Sequence, residues 1–305
     1  MTSHILMIRP SRFDFNKETA VNNLFQDATA SKDNVQTKAL AEFDAFVEKL
    51  TANGINVTLV QDTPEPHTPD SIFPNNWVSF HSNGTVCLYP MFAANRRLER
   101  KPHVLDVIKQ KFTVKYTIDF SVYEANQTYL EGTGSMVLDR TNQMAYACLS
   151  QRTNKFVLRE FCKSMNYTPI AFTANDEGGN PIYHTNVMMC MADAYVVICL
   201  ASITEEFERD YLVKALESSG KQIVDISYHQ LNHFAGNMLQ VKNEQGEKFL
   251  VMSTQAYNSL EANQLKTLES FNKIIHSDIT TIETNGGGST RCMMAEVFLP
   301  LTADR

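Results

Sequence analysis

A unit of helix, strand and hairpin recurs along this chain, and its period restricts the fold more than any other feature of the sequence. In the first unit, a helix-like stretch at 36–50 precedes a strand-like run at 55–60 and a hairpin at 77–90. Four later stretches repeat this order, with apolar residues at helical spacing and β-branched runs bounded by turn residues. They include expected helices at 96–112 and 154–165 and an expected strand at 279–284. Such internal repetition predicts an α/β fold built from small modules.

The first strand of each hairpin is expected to begin with a polar residue. These five residues are Asn76, Glu131, His184, Asn237 and Cys292. They are separated by 55, 53, 53 and 55 residues. Equivalent positions of radially arranged units face one axis, so we expect the five side chains to converge. An accidental spacing in an ordinary α/β sheet protein is the alternative. The N-terminal run at 5–10 is expected to complete the last module.

Composition and charge exclude several classes of partner. The formal net charge of −7 argues against a nucleic-acid partner, because a phosphate backbone requires a basic face. No apolar run approaches the roughly 20 residues that span a bilayer, and the first ten residues do not resemble a signal peptide. We therefore expect a cytoplasmic protein without a membrane partner.

The cysteine pattern singles out one thiol. The six cysteines are Cys87, Cys148, Cys162, Cys190, Cys199 and Cys292. Four lie in apolar, strand-like runs and Cys162 lies in a helix-like segment, so we expect reduced, buried thiols. Cys292 differs because it follows the polar, glycine-rich sequence GGGSTR.

Three of the five converging residues form a chemically coherent set. Cys292 supplies a nucleophile, His184 an acid or base, and Glu131 a carboxylate that orients the imidazole. Each of the three is commonly a structural residue when it occurs alone, and their matched spacing favours the functional interpretation. The thiolate is the attacking form, so it needs a nearby cation, N–H donors or the substrate to stabilise it.

Two other kinds of site are disfavoured. The glycine triplet at 286–288 lacks the G-K-[ST] ending of a phosphate-binding loop and precedes a strand-like run. No histidine and cysteine spacing matches a zinc site, so we expect no metal.

Five motifs resemble the pentein superfamily of guanidine-group-modifying enzymes. They are DSIFPNNW (70–77), LEGTGS (130–135), LSQRTN (149–154), YHTN (183–186) and GGGSTRCM (286–293). The superfamily includes arginine deiminases, dimethylarginine hydrolases and amidinotransferases. The resemblance implies ββαβ-type repeats around a pseudo-fivefold axis, which form a five-bladed α/β propeller.

Within the superfamily, the sequence is most similar to the citrulline-utilising hydrolases, often named simply amidinotransferases. The resemblance implies Cys292 as the nucleophile, His184 as the general acid and base, and Glu131 as its partner. It also implies substrate contacts. Arg152 and either Arg96 or Arg97 match positions that bind an α-carboxylate, and Asp70 and Phe73 match a stretch near the substrate, with Asp70 near the α-amino group.

Asparagines stand where guanidine hydrolases carry acidic residues. Asn75 and Asn76 replace carboxylates, and Asn186 replaces the aspartate of the H-x-D motif of arginine deiminases. A guanidinium offers only donors and requires carboxylates, whereas a neutral ureido group offers both donors and an acceptor. The asparagines therefore suit citrulline, although Pro-Asn-Asn is also good turn chemistry. Asn237 either contacts the ligand or links the modules by hydrogen bonds.

The sequence therefore predicts a single catalytic domain over residues 1–305. The expected reaction is hydrolysis of citrulline to ornithine, ammonia and carbon dioxide through a covalent Cys292 adduct, without a cofactor. Alternatives are an arginine deiminase or dimethylarginine hydrolase, an amidinotransferase, or a non-catalytic amino-acid-binding protein. The expected partner is a small amino acid, either citrulline or a guanidino analogue. The oligomeric state is left open, with a homodimer as one option.

Overall fold

The computed structural model describes residues 1–27, 29 and 33–302. Short strands and helices alternate along the described chain. The strands are β1 (His4–Arg9), β2 (Asn56–Gln61), β3 (Val78–Phe80), β4 (Thr85–Leu88), β5 (Tyr116–Asp119), β6 (Val137–Asp139), β7 (Met144–Cys148), β8 (Thr168–Phe172), β9 (Met189–Met191), β10 (Tyr195–Ile198), β11 (Gln222–Asp225), β12 (Leu239–Lys242), β13 (Lys248–Ser253), β14 (Lys273–Ser277) and β15 (Ala295–Glu296).

Helices connect the strands, and several are single turns. The helices are α1 (Val35–Ala52), α2 (Ala94–Arg97), α3 (Pro102–Lys111), α4 (Gly132–Ser135), α5 (Lys155–Met165), α6 (Thr185–Met188), α7 (Glu206–Ser218), α8 (Tyr228–Asn232), α9 (Thr254–Ser259), α10 (Ala262–Glu269), α11 (Thr280–Gly286) and α12 (Thr290–Met293). The expected long helix at 96–112 is divided into α2 and α3, because Pro102 lacks the N–H that a continuous helix needs and instead begins α3.

The described strands form five small sheets of three strands each, all with the same pattern. In every sheet the middle strand pairs antiparallel with one neighbour and parallel with the other. The predicted role of the N-terminal strand is confirmed, since β1 pairs antiparallel with β15 and parallel with β2. The structure is thus an α/β fold of small sheets, as the repeated units predicted.

Local sequence explains the best-predicted helices. In α5, the side chain of Asn154 accepts hydrogen bonds from the backbone N–H groups of Phe156 and Val157 and so caps the first turn. An apolar stripe of this helix is buried against its sheet, including Phe161 and Cys162. This combination of cap and stripe was visible in the sequence, and the predicted helix at 154–165 is confirmed.

The prediction of a strand at 279–284 is wrong. This β-branched run, ITTIET, begins α11, and the strand of this unit is β14 instead. The carboxylate of Glu42 on α1 accepts hydrogen bonds from the backbone N–H groups of Thr281 and Ile282, at 2.9 and 3.0 Å. A contact 239 residues distant in sequence therefore caps a helix that local propensity does not favour.

The N-terminal strand lies deep in the core. Ile5, Leu6 and Met7 on β1 have no exposed surface, and they pack with residues from the two ends of the chain. Among the described residues, no helix has the length and apolarity needed to cross a membrane.

The position of β1 predicts a strong dependence of stability on a single leucine. Replacing fully buried Leu6 by alanine should lower the free energy of unfolding by about 2–5 kcal/mol, through lost burial and a cavity. Leu59 on the adjacent β2 is 45% exposed, so the matched Leu59→Ala variant should change it by about 0.5 kcal/mol. Urea denaturation measures both values, and equal losses would contradict the central placement of β1.

Candidate active site

The five evenly spaced polar residues lie just before the antiparallel edge strand of each sheet, in or beside short turns. Asn76 ends a 3₁₀ turn, Glu131 and His184 precede α4 and α6, Asn237 precedes β12, and Cys292 lies in α12. The expectation that these residues open the strands themselves is wrong. A turn before the strand lets the side chain point inward while the following residues pair with the neighbouring strand.

The side chains of two turns pack closely against the backbone of a third. A Cβ atom added to Gly134 in α4 would clash with Nδ2 of Asn76 and would lie 2.8 Å from Nδ1 of His184. The two side chains therefore pack against Gly134. Glycine is required there because any larger side chain would clash with them, and not because of its backbone dihedral angles. The sequence LEGTGS supplies this glycine three residues after Glu131.

His184 and Glu131 form a buried hydrogen-bonded pair. Nε2 of His184 lies 2.8 Å from Oε2 of Glu131, and the backbone N–H of Phe92 donates to Oε1 at 2.8 Å. Nη1 of Arg152 lies 3.7 Å from the same carboxylate. Because an ionised carboxylate only accepts hydrogen bonds, the imidazole proton is assigned to Nε2, which leaves Nδ1 as an acceptor.

The ionisation of this pair follows from burial and from Arg152. Burial alone would raise the pKa of Glu131, but the charge of Arg152 and the hydrogen bond from His184 outweigh it and lower the pKa to about 2. Burial lowers the pKa of His184 to about 4, more than the contact with Glu131 raises it. At neutral pH the pair therefore consists of a neutral imidazole and a carboxylate.

The sulfur of Cys292 lies among amide groups. Nδ2 of Asn186 and Nδ2 of Asn237 each donate to it at 3.3 Å. Asn237 also links neighbouring turns, because its Nδ2 donates to the backbone oxygen of Asn186 and its Oδ1 accepts from the N–H of Arg291. Of the two roles considered for Asn237 from the sequence, the structure shows the one that links the modules by hydrogen bonds, and the contact with a ligand stays a prediction.

The other five cysteines have a different environment. All six thiols are free and buried. Burial raises the pKa of Cys87, Cys148, Cys162 and Cys190 to about 12 and that of Cys199 to about 11. These five thiols are therefore held in their unreactive protonated form.

Cys292 and His184 line one polar cavity of about 20 Å³, which has room for about one water molecule. The cavity is lined by Thr19, Asn23, Asp70, Phe73, Asn76, Arg96, Arg152, Tyr183, His184, Gly286, Gly287, Gly288 and Cys292. Asn186 and Asn237 adjoin it through the sulfur, and Glu131 adjoins it through His184. Among the described residues, no cluster of histidine, cysteine and carboxylate side chains has the arrangement of a metal site.

The structure distinguishes between Arg96 and Arg97, which the sequence left as alternatives. Arg96 is buried in the cavity wall, where it forms two hydrogen bonds with Glu99, at 2.8 and 3.0 Å, and donates to Oδ1 of Asn76 at 2.8 Å. Burial opposes its charge, but Glu99 and Asp70 outweigh this effect and raise its pKa. Arg97 is not in the cavity wall, and its Nε donates to the backbone oxygen of Met91.

A segment missed in the sequence covers the cavity, and we refer to residues 16–26 as the strap. Oδ1 of Asn22 accepts from Nε of Arg152 at 2.9 Å and from its Nη2, which also donates to the backbone oxygen of Thr19 at 2.8 Å. Asn23 contacts the backbone oxygens of Gly286 and Gly287. The polar sequence of the strap, between two apolar elements, was the signal available for predicting it.

Tyr183 was also missed, although it is the first residue of the YHTN motif. Its hydroxyl donates to the backbone oxygen of Gly287 at 2.8 Å. The guanidinium carbon of Arg152 lies 4.8 Å from the centre of its ring. Tyr183 therefore joins the glycine loop to the arginine that faces the strap.

Several buried polar atoms at the site have no hydrogen-bond partner among the described residues. They include Nδ2 and Oδ1 of Asn75, Nδ2 of Asn76, Oδ1 of Asn186 and Oδ1 of Asp70. Buried amides without partners are costly, so this concentration around Cys292 indicates a ligand-binding region. Asn75 itself is not among the residues that line the cavity.

The contacts of Asn22 predict how the strap controls access to the thiol. Asn22→Ala removes the side-chain oxygen that accepts from Arg152, so the strap should open more often. We expect iodoacetamide to alkylate Cys292 roughly tenfold faster, because a hydrogen bond to a charged group is lost. Val21→Ala is the matched control, since Val21 is 71% exposed on the same segment and should leave the rate unchanged. Equal rates in both variants would exclude this role of the strap.

The described fold is similar to those of known structures. Apo ArgZ, described as an arginine dihydrolase from the ornithine-ammonia cycle in cyanobacteria, matches with a TM-score of 0.76 and 17% identity, over 99% of this chain and 41% of ArgZ. The chain thus spans less than half the length of full ArgZ. The N-terminal domain of ArgZ, covalently bound to a reaction intermediate, matches with a TM-score of 0.75 and 17% identity, over 97% of this chain and 99% of that domain.

A dimethylarginine dimethylaminohydrolase variant, solved as an adduct with S-methyl-L-thiocitrulline, matches with a TM-score of 0.68 and 16% identity, over 97% of this chain and 99% of that protein. No curated protein matches the chain in sequence. The family model described as N,N dimethylarginine dimethylhydrolase, eukaryotic, matches residues 9–299. This match covers nearly the whole chain, and the chain therefore belongs to that family, within the pentein superfamily.

Proposed function

We propose that this protein is a cysteine-dependent hydrolase of a C–N bond in the guanidino or ureido group of an amino acid, with citrulline as its preferred substrate. One observation carries the proposal: Cys292 and a neutral His184, held in one tautomer by Glu131, line the same cavity. A nucleophile, a base and an orienting carboxylate are the minimum set for covalent hydrolysis.

The first step forms the C–S bond and breaks one C–N bond, and His184 carries the proton from the thiol to the departing nitrogen. Nδ1 of His184 accepts the proton of the Cys292 thiol, and Sγ attacks the ureido carbon. Nδ2 of Asn186 and Nδ2 of Asn237 donate to the sulfur and stabilise the negative charge that develops on it. The imidazolium formed is stabilised by Glu131, and it gives its proton to the departing nitrogen.

The second step regenerates the enzyme. His184, neutral again, accepts a proton from water, and the hydroxide attacks the carbon attached to Sγ. The C–S bond breaks, the sulfur recovers its proton through His184, and the resulting carbamic acid decomposes. In total, citrulline and one water give ornithine, ammonia and carbon dioxide. Every proton passes between groups that line or adjoin the cavity.

Two amide groups in or beside the cavity suit a neutral ureido group. Asn76 presents an unpartnered donor, Nδ2, and Asn186 an unpartnered acceptor, Oδ1. A ureido group offers one carbonyl oxygen and several N–H groups, so both amide atoms gain a partner. A guanidinium would leave the donor of Asn76 unpaired, at a cost of about 1–3 kcal/mol.

The α-carboxylate and α-amino groups have counterparts at the other side of the cavity. Arg152 currently donates to oxygens of the strap, Oδ1 of Asn22 and the backbone oxygen of Thr19, and a substrate carboxylate can replace them. Asp70, with its unpartnered Oδ1, can accept hydrogen bonds from an ammonium group.

Arg96 has a different role. Most of its donors are engaged by Glu99 and Asn76, so we assign it a structural role in the cavity wall.

We further propose that the five sheets close into a five-bladed ring. Contacts between elements of neighbouring sheets support this arrangement: β15 meets β3, α4 meets β3, β6 meets β9, β9 meets β12, and α12 meets β13. These five contacts link each sheet to the next one and the last sheet to the first. A ring explains why residues about 54 positions apart reach one cavity.

A second candidate function is hydrolysis of arginine or an N-methylated arginine. The family match to dimethylarginine dimethylhydrolases favours it, as does the buried carboxylate of Asp70 in the cavity wall. A cation needs such a carboxylate, although Asp70 is equally suited to an α-amino group.

A substrate panel tests the proposed reaction. The purified protein should convert citrulline to ornithine, with release of ammonia, and Cys292→Ser should abolish turnover. Arginine and dimethylarginine should react at least about 100-fold more slowly in kcat/KM, because the guanidinium lacks the acceptor that the site requires. Ornithine is quantified by chromatography. Turnover of arginine or dimethylarginine in preference to citrulline would favour the second candidate.

Glu131→Gln tests the role of the carboxylate. The amide no longer fixes the proton on Nε2 of His184 or stabilises the imidazolium, so kcat should fall by about 10³- to 10⁴-fold. Glu217→Gln, the same change at an exposed position of α7 outside the cavity, serves as the control and should retain most activity. A fall of less than tenfold in Glu131→Gln would show that the pair is only structural.

Asn76→Asp tests substrate choice. The variant replaces the unpartnered donor Nδ2 with an acceptor and keeps the oxygen that binds Arg96. The ratio of kcat/KM for arginine to that for citrulline should rise by about tenfold or more. The measurement is the same substrate panel, with Asn142→Asp on the β6–β7 turn as a control that should leave the ratio unchanged. An unchanged ratio in Asn76→Asp would remove Asn76 from the ureido subsite.

A further inference from the structure

The glycine loop before the nucleophile has no side chains to fix its own conformation. Gly286–Gly288 link α11 to the turn α12 that carries Cys292. A Cβ atom on Gly286 or Gly288 would lie 2.8 or 2.9 Å from the ring of Phe73, and Gly287 has a φ of +64°. The loop is therefore held by residues outside it, among them Asn23 and Tyr183, which contact its backbone oxygens, and residues that flank it in the chain.

Glu283 accepts hydrogen bonds from two residues in and beside this loop, Gly287 and Ser289. Its backbone oxygen accepts from the N–H of Gly287 at 2.8 Å, and its Oε1 accepts from the hydroxyl of Ser289 at 2.6 Å. The backbone oxygen of Ser289 in turn accepts from the N–H of Cys292 at 3.0 Å. A continuous series of hydrogen bonds thus runs from Glu283 through Ser289 to the nucleophile.

The surroundings of Glu283 are unfavourable for a carboxylate. The residue is 2% exposed, and the charged groups facing it are the carboxylates of Glu42 on α1 and Asp278 ahead of α11. Its Oε2 accepts from Nε2 of Gln255 at 3.3 Å. Burial, with a contribution from the two carboxylates, raises the pKa of Glu283 to about 7. An apolar side chain would be less costly here, so core packing does not account for this residue.

We propose that Glu283 is a positioning residue for the nucleophile, which fixes the glycine loop through Ser289 and so sets the place of Cys292 in the cavity. Glu283 does not line the cavity and touches no reacting atom. This inference rests on the proposed function where turnover of citrulline is measured. The reactivity of the Cys292 thiol provides a second measurement that needs no substrate.

A double-mutant cycle tests the route through Ser289. Glu283→Ala and Ser289→Ala should each lower kcat/KM for citrulline by about 10- to 100-fold, as expected for a misplaced nucleophile. Because both variants remove the same hydrogen bond, the double variant should be no worse than the poorer single variant. Glu283→Gln keeps an oxygen that accepts from Ser289 and should restore activity to within about threefold. Additive losses, or no rescue by glutamine, would overturn the proposal.

Glu42→Ala is the matched control. Glu42 contacts the same helix as Glu283, but through the backbone N–H groups of Thr281 and Ile282 in its first turn. Its loss should lower the free energy of unfolding as a lost helix cap does and leave kcat/KM within about twofold. Equal losses of kcat/KM in Glu42→Ala and Glu283→Ala would reduce Glu283 to a structural residue.

Alkylation of Cys292 separates failure of this inference from failure of the proposed function. Iodoacetamide labelling, followed by mass spectrometry of the Cys292 peptide, should be roughly fivefold faster in Glu283→Ala and Ser289→Ala, because the loop that buries the thiol loosens. Glu283→Gln and Glu42→Ala should label at the original rate. This labelling pattern supports the positioning role of Glu283 even if the protein does not turn over citrulline. An unchanged labelling rate in folded Ser289→Ala overturns that role even if the protein does turn over citrulline.

Discussion

The hydrogen bond between His184 and Glu131 is the interaction on which the rest of the site depends. In a buried site, a lone imidazole has no fixed tautomer and a lone carboxylate is costly. Arg152 and the N–H of Phe92 keep Glu131 ionised, and Glu131 in turn directs the free lone pair of His184 away from itself. The catalytic proposal follows from this single polarised pair.

Repetition explains how a chain of 305 residues assembles such a pair. A short turn precedes the antiparallel edge strand of each small sheet, and one polar side chain in or beside this turn points inward while the apolar strands form the core. Glu131 and His184 come from adjacent units, and Asn237 and Cys292 from the two that follow. The units meet through these side chains, so the same hydrogen bonds that stabilise the centre of the protein also build the site. Asn237 shows this directly, since it contacts both the sulfur and neighbouring backbone.

Much of this was accessible from the sequence, for identifiable reasons. Helix α5 carries its own cap and apolar stripe, and the polar residues at a spacing of 53–55 residues reveal equivalent positions. The strand expected at 279–284 failed because Glu42, distant in sequence, caps that segment as a helix. The strap was missed because its contacts with Arg152 and the glycine loop have no local pattern.

The sequence by itself determined the number of units, the α/β character and which residue types stand at equivalent positions, since these depend on local periodicity and spacing. Only the tertiary structure decided that Arg96 rather than Arg97 lines the cavity, that Asn22 covers Arg152, and which oxygen Ser289 reaches. Those choices depend on distances between segments far apart in the chain. Hydrogen bonds act over about 3 Å, and a sequence pattern does not specify such distances.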